Sequence, residues 1–372
     1  MRDTTRKLFK LPPDSVLPAK SAHAGLYLER CAPMPIEEGK LSHEQRKDFL
    51  GALCAIEVPT LYRDAFARWR VALAEDGAFV CEVEARSRLL VGHGNPSGAE
   101  VGLTLHPTYG VPYVPGSALK GLLNHWLAER GKLDDPGWKG VGYVEGRPAE
   151  APGAFHGRLF GAPPVPQRDG VTNPLGDGLQ GAVVFEDAWI IPDAPPHLPL
   201  ALDVLTPHQK DYYRDFGAVA PDDWTSPIPV HFAAVKPKTR FLLAVSAVAG
   251  TSPSAARVAG IAMRHLLDAL SLWGVGGKTA AGYGRLRTAA GAAPRRVLRP
   301  GAMATVAPSL KALREAVERV LRPAKAEEGT PVAERFQREF GDDTRLDPIG
   351  VPERPEALQA LREVLAHPRL NK

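Results

Sequence analysis

Residues 273–285 read Trp273-Gly274-Val275-Gly276-Gly277-Lys278-Thr279-Ala280-Ala281-Gly282-Tyr283-Gly284-Arg285. The glycines here permit backbone conformations closed to other residues, and Lys278 and Arg285 supply positive charge beside exposed amides. That combination suits an anion. Two mononucleotide readings fail on spacing. A Walker loop needs glycine five positions before Gly277, where the chain has Leu272, and a helix running on from Thr279, where Gly282-Tyr283-Gly284 interrupts. The dinucleotide fingerprint has Thr279 where its third glycine belongs. The loop is therefore read as holding phosphates of a longer ligand, RNA.

A second segment carries chemistry of the same kind. His106-Pro107-Thr108-Tyr109-Gly110-Val111-Pro112-Tyr113-Val114-Pro115-Gly116 forms a stiff turn, and Ser117 is expected to open a helix whose free amides and Lys120 can grip a phosphate. Other candidates are weaker. His93, His106, His125, His156, His208, His231 and His265 are scattered without HExxH or HxxxH spacing, so no metal site is expected. Asp203, Asp211, Asp222 and Asp223 cluster in a Pro-rich insertion, where capping and solvated roles outweigh metal-assisted cleavage. Arg285, Arg287, Arg295, Arg296 and Arg299 either extend a phosphate track or line a solvated linker, and Arg2, Arg6, Lys7 and Lys10 pose the same choice.

These motifs need elements to place them. Residues 1–40 mix prolines with charges and read as an extended arm. Ser42 with Gln45 signals a capped helix, and Leu61, Tyr62, Ala65, Phe66 and Trp69 mark one face of a second helix after Pro59. Residues 78–91 alternate as a half-buried strand, with Phe79, Cys81, Val83 and Ala85 on one side. The helix from Ser117 places Leu119, Leu122, Leu123, Trp126 and Leu127 together; strands follow at 181–191 and 241–248. Residues 254–273 form a second amphipathic helix, and 284–288 a last strand. Strand, helix, strand, strand, helix, strand is the ferredoxin-like order shared by RNA-recognition domains, an α+β class. The expected parts are residues 1–75, an N-terminal arm with helices; 76–290, a core with large loop insertions; and 291–372, a helical appendage with stretches at 309–321, 331–340 and 355–365.

Bulk composition sets limits. The chain has 372 residues and a net charge of only +4, so an RNA role must rest on local placement of cations. Cys31, Cys54 and Cys81 make neither a metal knuckle nor an even disulfide framework, which fits a reducing cytoplasm. No stretch approaches the ~18 apolar residues of a membrane span, and no hydrophobic signal core follows Met1-Arg2-Asp3, so the expectation is a cytoplasmic protein without membrane contact.

The segment Tyr113 to Gly121, followed far downstream by Gly274 to Gly284, resembles the RAMP superfamily of CRISPR effector subunits. With His106 to Pro112, Leu202-Asp203-Val204-Leu205-Thr206-Pro207-His208, Tyr212-Tyr213 and Asp222-Asp223-Trp224, it is similar to the sixth RAMP subunit of type III-B, or Cmr, complexes over about residues 79–290. The resemblance implies a noncatalytic subunit, without cofactor or metal, that holds the 3′ portion of crRNA, helps seat target RNA and caps the backbone filament among other Cmr subunits in antiviral defence. Carried over residue by residue, Ser117, Lys120, Gly276, Gly277, Lys278, Tyr283 and Arg285 match positions around the RNA path. Cations would neutralise phosphates, glycine amides would approach the backbone, and the Tyr283 ring would either stack on a base or pack as a strand residue. Some members of the superfamily process crRNA with a histidine general base. The alternative is therefore a metal-independent endoribonuclease using His93 or His106.

Overall fold

The computed structural model describes residues 20, 22–32, 41–95, 97, 101–133, 135–164, 178–206, 209–214, 217–218, 220–221, 224, 229–248 and 254–298. The basic arm, Arg299 and the expected helices at 309–321, 331–340 and 355–365 lie outside them. So do His208, Asp222 and Asp223, and the Asp211 side chain.

Helices α1 (Ala24–Arg30), α2 (His43–Leu53) and α3 (Thr60–Glu75) precede strand β1 (Phe79–Ala85). Short β2 (Tyr113–Val114) leads into α4 (Gly116–Leu133). Hairpin β3 (Gly142–Val144) and β4 (Arg147–Glu150), helix α5 (Ala154–Phe160) and the pair β5 (Gly161–Ala162) and β6 (Leu179–Gln180) follow. Then come β7 (Val183–Phe185), β8 (Ala188–Ile190), β9 (Leu200–Leu205), α6 (Lys210–Arg214), β10 (Val230–Val235) and β11 (Arg240–Ala247). Helix α7 (Ser254–Leu272), β12 (Leu286–Thr288) and β13 (Arg295–Arg296) complete the set.

The central sheet runs β12-β1-β11-β8-β2, with β13 beside β1 and β7 beside β11, and its pairings are antiparallel. The expected strand over 181–191 is broken at Glu186-Asp187, so β8 pairs with the start of β11 (Phe241↔Ile190) and β7 with its end (Val245↔Phe185). Alternation along β1 and β11 makes two faces. One row, Phe79, Cys81 and Val83 beside Val245, Leu243 and Phe241, is buried and takes the α4–α7 pair, whose Leu119, Leu123, Leu127, Ala262, Met263 and Leu266 are fully enclosed. The other row, with Val80, Glu82 and Leu242, faces α3.

Local signals explain the N-terminal helices. Ser42 Oγ accepts from the Gln45 amide while Gln45 Oε1 accepts from the Ser42 amide, both at 3.1 Å, closing the expected reciprocal cap on α2. Tyr62 of α3 donates its hydroxyl to the Ile190 carbonyl at 2.7 Å and stacks on Trp189, as does Trp69. Two expectations are corrected. Leu61, assigned to the buried face, is exposed. The arm is not wholly extended, since α1 buries Tyr27 and Leu28, with Tyr27 stacked on Phe49 at 4.7 Å.

The insertion before β11 holds an element the sequence pattern does not mark. Strands β9 and β10 pair along their whole lengths, from Leu200↔Val235 to Leu205↔Val230. Phe232, Ala234 and Leu90 form a small core there, against which Tyr283 and Leu205 pack.

Candidate RNA-contacting groove

The glycine run takes its shape from hydrogen bonds to its neighbours. Its backbone has positive φ at Gly274, Gly276, Lys278, Gly282 and Gly284. Gly276 shows why glycine is required, because a Cβ at its φ of 88° would collide with the Leu90 carbonyl. The Gly274 amide donates to Ala269 O (3.0 Å), Val275 to Gly284 O (2.9 Å), Gly277 to Leu90 O (2.7 Å) and Gly284 to Arg88 O (2.8 Å). Tyr283 donates to Lys278 O (3.3 Å) and Arg285 to Ser87 Oγ (3.1 Å). This corrects the expectation of a cradle of free glycine amides: three of these six bonds reach the loop after β1, the others close on α7 or within the run, and the Gly277 amide is committed to Leu90.

The amides without an acceptor among the described residues are those of Gly276, Lys278, Thr279 and Ala280. Lys278 sits at φ 57°, ψ 33°, and a single 3-10 turn, Thr279–Ala281, follows. A left-handed residue entering a right-handed turn aims successive N–H groups into one concavity, an anion-binding nest. The long helix a nucleotidase needs after Thr279 is absent from these described residues, as expected.

At the second motif the helix begins one residue earlier than expected. Gly116 opens α4. Its amide donates to Asp187 Oδ1 at 2.7 Å, so the cap comes from the break between β7 and β8 rather than from Ser117. A carboxylate already occupies one of the amides the phosphate reading takes as free. Ser117 and Lys120 both lie exposed on the first turns. Strand β2 pins this turn by pairing Tyr113 with Trp189.

The two motifs meet. Ala118 and Leu122 of α4 form one wall of a groove of ≈ 460 Å³, and Trp273 to Gly276, Thr279, Ala280 and Arg285 form the other. Arg285 Nη1 is buried without a protein acceptor among the described residues. A guanidinium nitrogen so placed is costly unless an acceptor arrives. Lys278 and Gly277 stand just beyond the lining residues, half-buried.

Tyr283 has a different setting. Its hydroxyl donates to Asp203 Oδ2 at 2.7 Å, and its ring leans on Phe232 at 6.3 Å. Asp203 also pairs with Arg88 and accepts from the Val204 amide at 2.9 Å. Burial alone would raise the Asp203 pKa, but these donors and the Arg88 charge hold it below the usual carboxylate range. Burial, with the Asp203 hydrogen bond and charge, pushes the Tyr283 phenol up. Of the two readings of Tyr283, the geometry is that of packing. The Asp203 side chain, to which the sequence assigns no chemical role, ties the β9–β10 hairpin to the glycine loop.

The catalytic candidates are similarly accounted for. His93 lies against Phe232 at 5.4 Å and is held toward its neutral form by burial and then by the Lys278 charge. His106 sits among Tyr109, Tyr113 and Trp189 at 4.7, 5.6 and 5.0 Å, its Nδ1 accepting from the Thr108 amide at 3.2 Å. Burial lowers its pKa, with Asp187 opposing. His265 packs beside Trp138 at 5.5 Å. Among the described residues no group of three or more His, Cys, Asp or Glu side chains is placed to hold a metal, and no helix is long and apolar enough to cross a membrane. In the cationic stretch, Arg287 donates to Glu84 Oε1 at 2.8 Å and Arg296 Nε to the Gly77 carbonyl at 3.1 Å, so these serve the fold.

The RAMP superfamily model matches residues 82–287, and the chain belongs to that superfamily, with which its mixed helix and antiparallel sheet architecture is consistent. Within it, the chain is similar to the CRISPR system Cmr subunit Cmr6 of Pyrococcus furiosus, 32% identical over 253 residues, which are 61% of this chain and 72% of that one. That likeness groups it with the sixth RAMP subunits of type III-B, Cmr, systems. Two solved structures are also similar. A type III-B Cmr-beta complex bound to cognate target RNA gives a TM-score of 0.46 at 17% identity, covering 68% of this chain and 73% of that one. The crystal structure of Cmr6 from Pyrococcus furiosus gives 0.33 at 30% identity, covering 57% and 98%.

Proposed function

We propose that this chain is a noncatalytic RNA-binding subunit of a type III-B CRISPR effector, holding the 3′ portion of crRNA beside target RNA and capping the backbone filament among other Cmr subunits. The observation that carries the reading is the groove between α4 and the glycine loop, with an unpartnered Arg285 Nη1 on its wall and the nest at Lys278-Thr279-Ala280 beside it. A phosphodiester backbone following this groove meets Arg285 on the wall and the nest amides beside it, with Lys278 next to the lining residues; Ser117 and Lys120, exposed on the first turns of α4, lie off the wall formed by Ala118 and Leu122 and would be reached only beyond the groove. Committing the glycine amides internally makes the nest rigid, so little ordering entropy is lost when the RNA arrives.

The core that presents the groove is read as ferredoxin-like, supported by the order of the four principal strands, last–first–third–second, and by two helices on one face. We take residues 76–290 as that core, with 1–75 and 291–372 as appendages. Absence of catalysis is supported by His93 and His106, each held toward neutrality within aromatic packing and neither, among the described residues, hydrogen-bonded to a carboxylate that would orient it as a base.

The test is retention of crRNA in the assembled complex together with binding of single-stranded RNA by the lone chain. Replacing Lys120, Lys278 and Arg285 together by alanine removes three cations, and the salt dependence should flatten by about 2 in log–log slope, from ~0.7 per phosphate contact on a single strand. Unchanged retention and slope would overturn the RNA path. The lone chain with repeat RNA and EDTA should give no product; a discrete product lost on His93→Ala or His106→Ala would make it a ribonuclease.

A further inference from the structure

The groove between α4 and the glycine loop is larger and less polar than a phosphate needs. Ala118, Leu122, Trp273, Val275 and Ala280 make it mostly apolar, and only Thr279 and Arg285 bring polar side chains to it. Its ≈ 460 Å³ falls among small-molecule sites, which run to about 300–1,000 Å³. Trp273 is held in place by α4: its ring stands at 84° to that of Trp126, 5.0 Å away, and lies 5.1 Å from that of His125. Beside it, Leu272 is 61% exposed.

Three occupants can be compared on these walls. A bare phosphate gains nothing from apolar surface and loses hydration on entering. An apolar side chain of a protein partner gains from the walls, but leaves Arg285 Nη1 as it is, buried without an acceptor among the described residues. A nucleobase satisfies both, because its faces stack on aromatic rings and its edge carries acceptors for a guanidinium. Position agrees with chemistry. Thr279 and Ala280 line the groove and also supply amides to the nest, so a base site and a phosphate site adjoin as the two are joined in one nucleotide. With five donors in a fork, Arg285 can serve base and backbone together.

We propose that this groove is a nucleobase site: one unpaired base of the bound RNA turns in against Trp273, its edge accepting from Arg285 Nη1, while its phosphate rests on the nest amides. The proposal deepens the RNA-binding reading above and rests on it.

Binding of the full chain to random-sequence single-stranded RNA and to an abasic ribose-phosphate polymer of the same length, each at several salt concentrations, tests this. The two polymers offer the same phosphates and should give the same salt slope. RNA should bind about 5- to 150-fold more tightly, the contribution of one base stacked on an aromatic ring. Trp273→Leu should remove most of that preference and leave the slope unchanged. Ala118→Leu, which fills the groove from α4 and deletes no core contact, should do the same with the melting temperature unchanged, so the result stands even where Trp273→Leu weakens the fold. Absence of salt-dependent binding to either polymer would sink the RNA path itself, and this site with it. Salt-dependent binding with equal affinity for both polymers, or a preference that both variants retain, would overturn the base site alone. So would release of another Cmr subunit from the assembled complex in Ala118→Leu with the base preference intact, which assigns the groove to a protein side chain.

Discussion

Removing one oxygen from Tyr283 separates its two readings. In Tyr283→Phe the ring stays against Phe232 and only the hydroxyl that donates to Asp203 at 2.7 Å is lost. A hydrogen bond to a charged acceptor contributes about 1.5–3 kcal/mol net. The Asp203 side chain is only 11% exposed, so little water can replace the missing donor, while Arg88 and the Val204 amide still partner it. Those remaining partners keep the cost at about 2 kcal/mol, near the middle of that range. Arg88 is 40% exposed. Its charge is screened by water and adds little of its own. At about 2–4 °C per kcal/mol for a fold of this size, the melting temperature should fall by about 4–8 °C. The pH dependence checks the cause. The Asp203 pKa is held below its unfolded value. Its stabilisation is therefore complete above that unfolded value, about 3.9, and disappears as pH falls through the native one. The gap between wild type and Tyr283→Phe should hold from pH 7 down to about 5 and close below about 4. Thermal melts across that range decide it. A variant that melts within about 1 °C of wild type at pH 7 yet binds RNA more weakly would refute the anchoring argument and return the hydroxyl to the RNA.

Two further substitutions test the loop and the helix start. Gly276→Ala places a methyl group against the Leu90 carbonyl at a left-handed φ, breaking the Gly277–Leu90 hydrogen bond. Urea denaturation should show a loss of about 2 kcal/mol or more, with RNA binding falling in parallel; an unchanged midpoint would mean that the loop does not depend on that close approach. Asp187→Ala removes the cap on Gly116. It should cost about 1 kcal/mol in the same assay, whereas Ser117→Ala should cost less, about 0.5 kcal/mol at most. Equal losses from both would contradict the cap assignment.

Helices with a continuous apolar stripe are legible in the sequence because their partners repeat every three or four residues: Leu119, Leu123 and Leu127 in α4, and Ala262, Leu266 and Ala269 in α7, all fully buried. The capping box at Ser42 is legible because donor and acceptor are three residues apart. Contacts that join distant positions are not. Asp187 caps a helix 71 residues earlier, and Asp203 meets Tyr283 across 80 residues, so no local spacing announces either. The β9–β10 hairpin has no local signal because its two strands are separated by a long Pro-rich insertion rather than a tight turn.

The sequence by itself determined the family and the order of the core elements, since each depends on residue types at fixed local spacing. Only the tertiary structure decided which polar groups remain available. Backbone amides and carboxylates look alike along a chain, and their chemistry is settled by whichever acceptor or donor folding brings within about 3 Å. The amides of Gly277, Gly284 and Gly274 are bonded to Leu90, Arg88 and Ala269, and the Tyr283 hydroxyl to Asp203. Among the described residues, Arg285 Nη1 and the amides of Gly276, Lys278, Thr279 and Ala280 have no such partner.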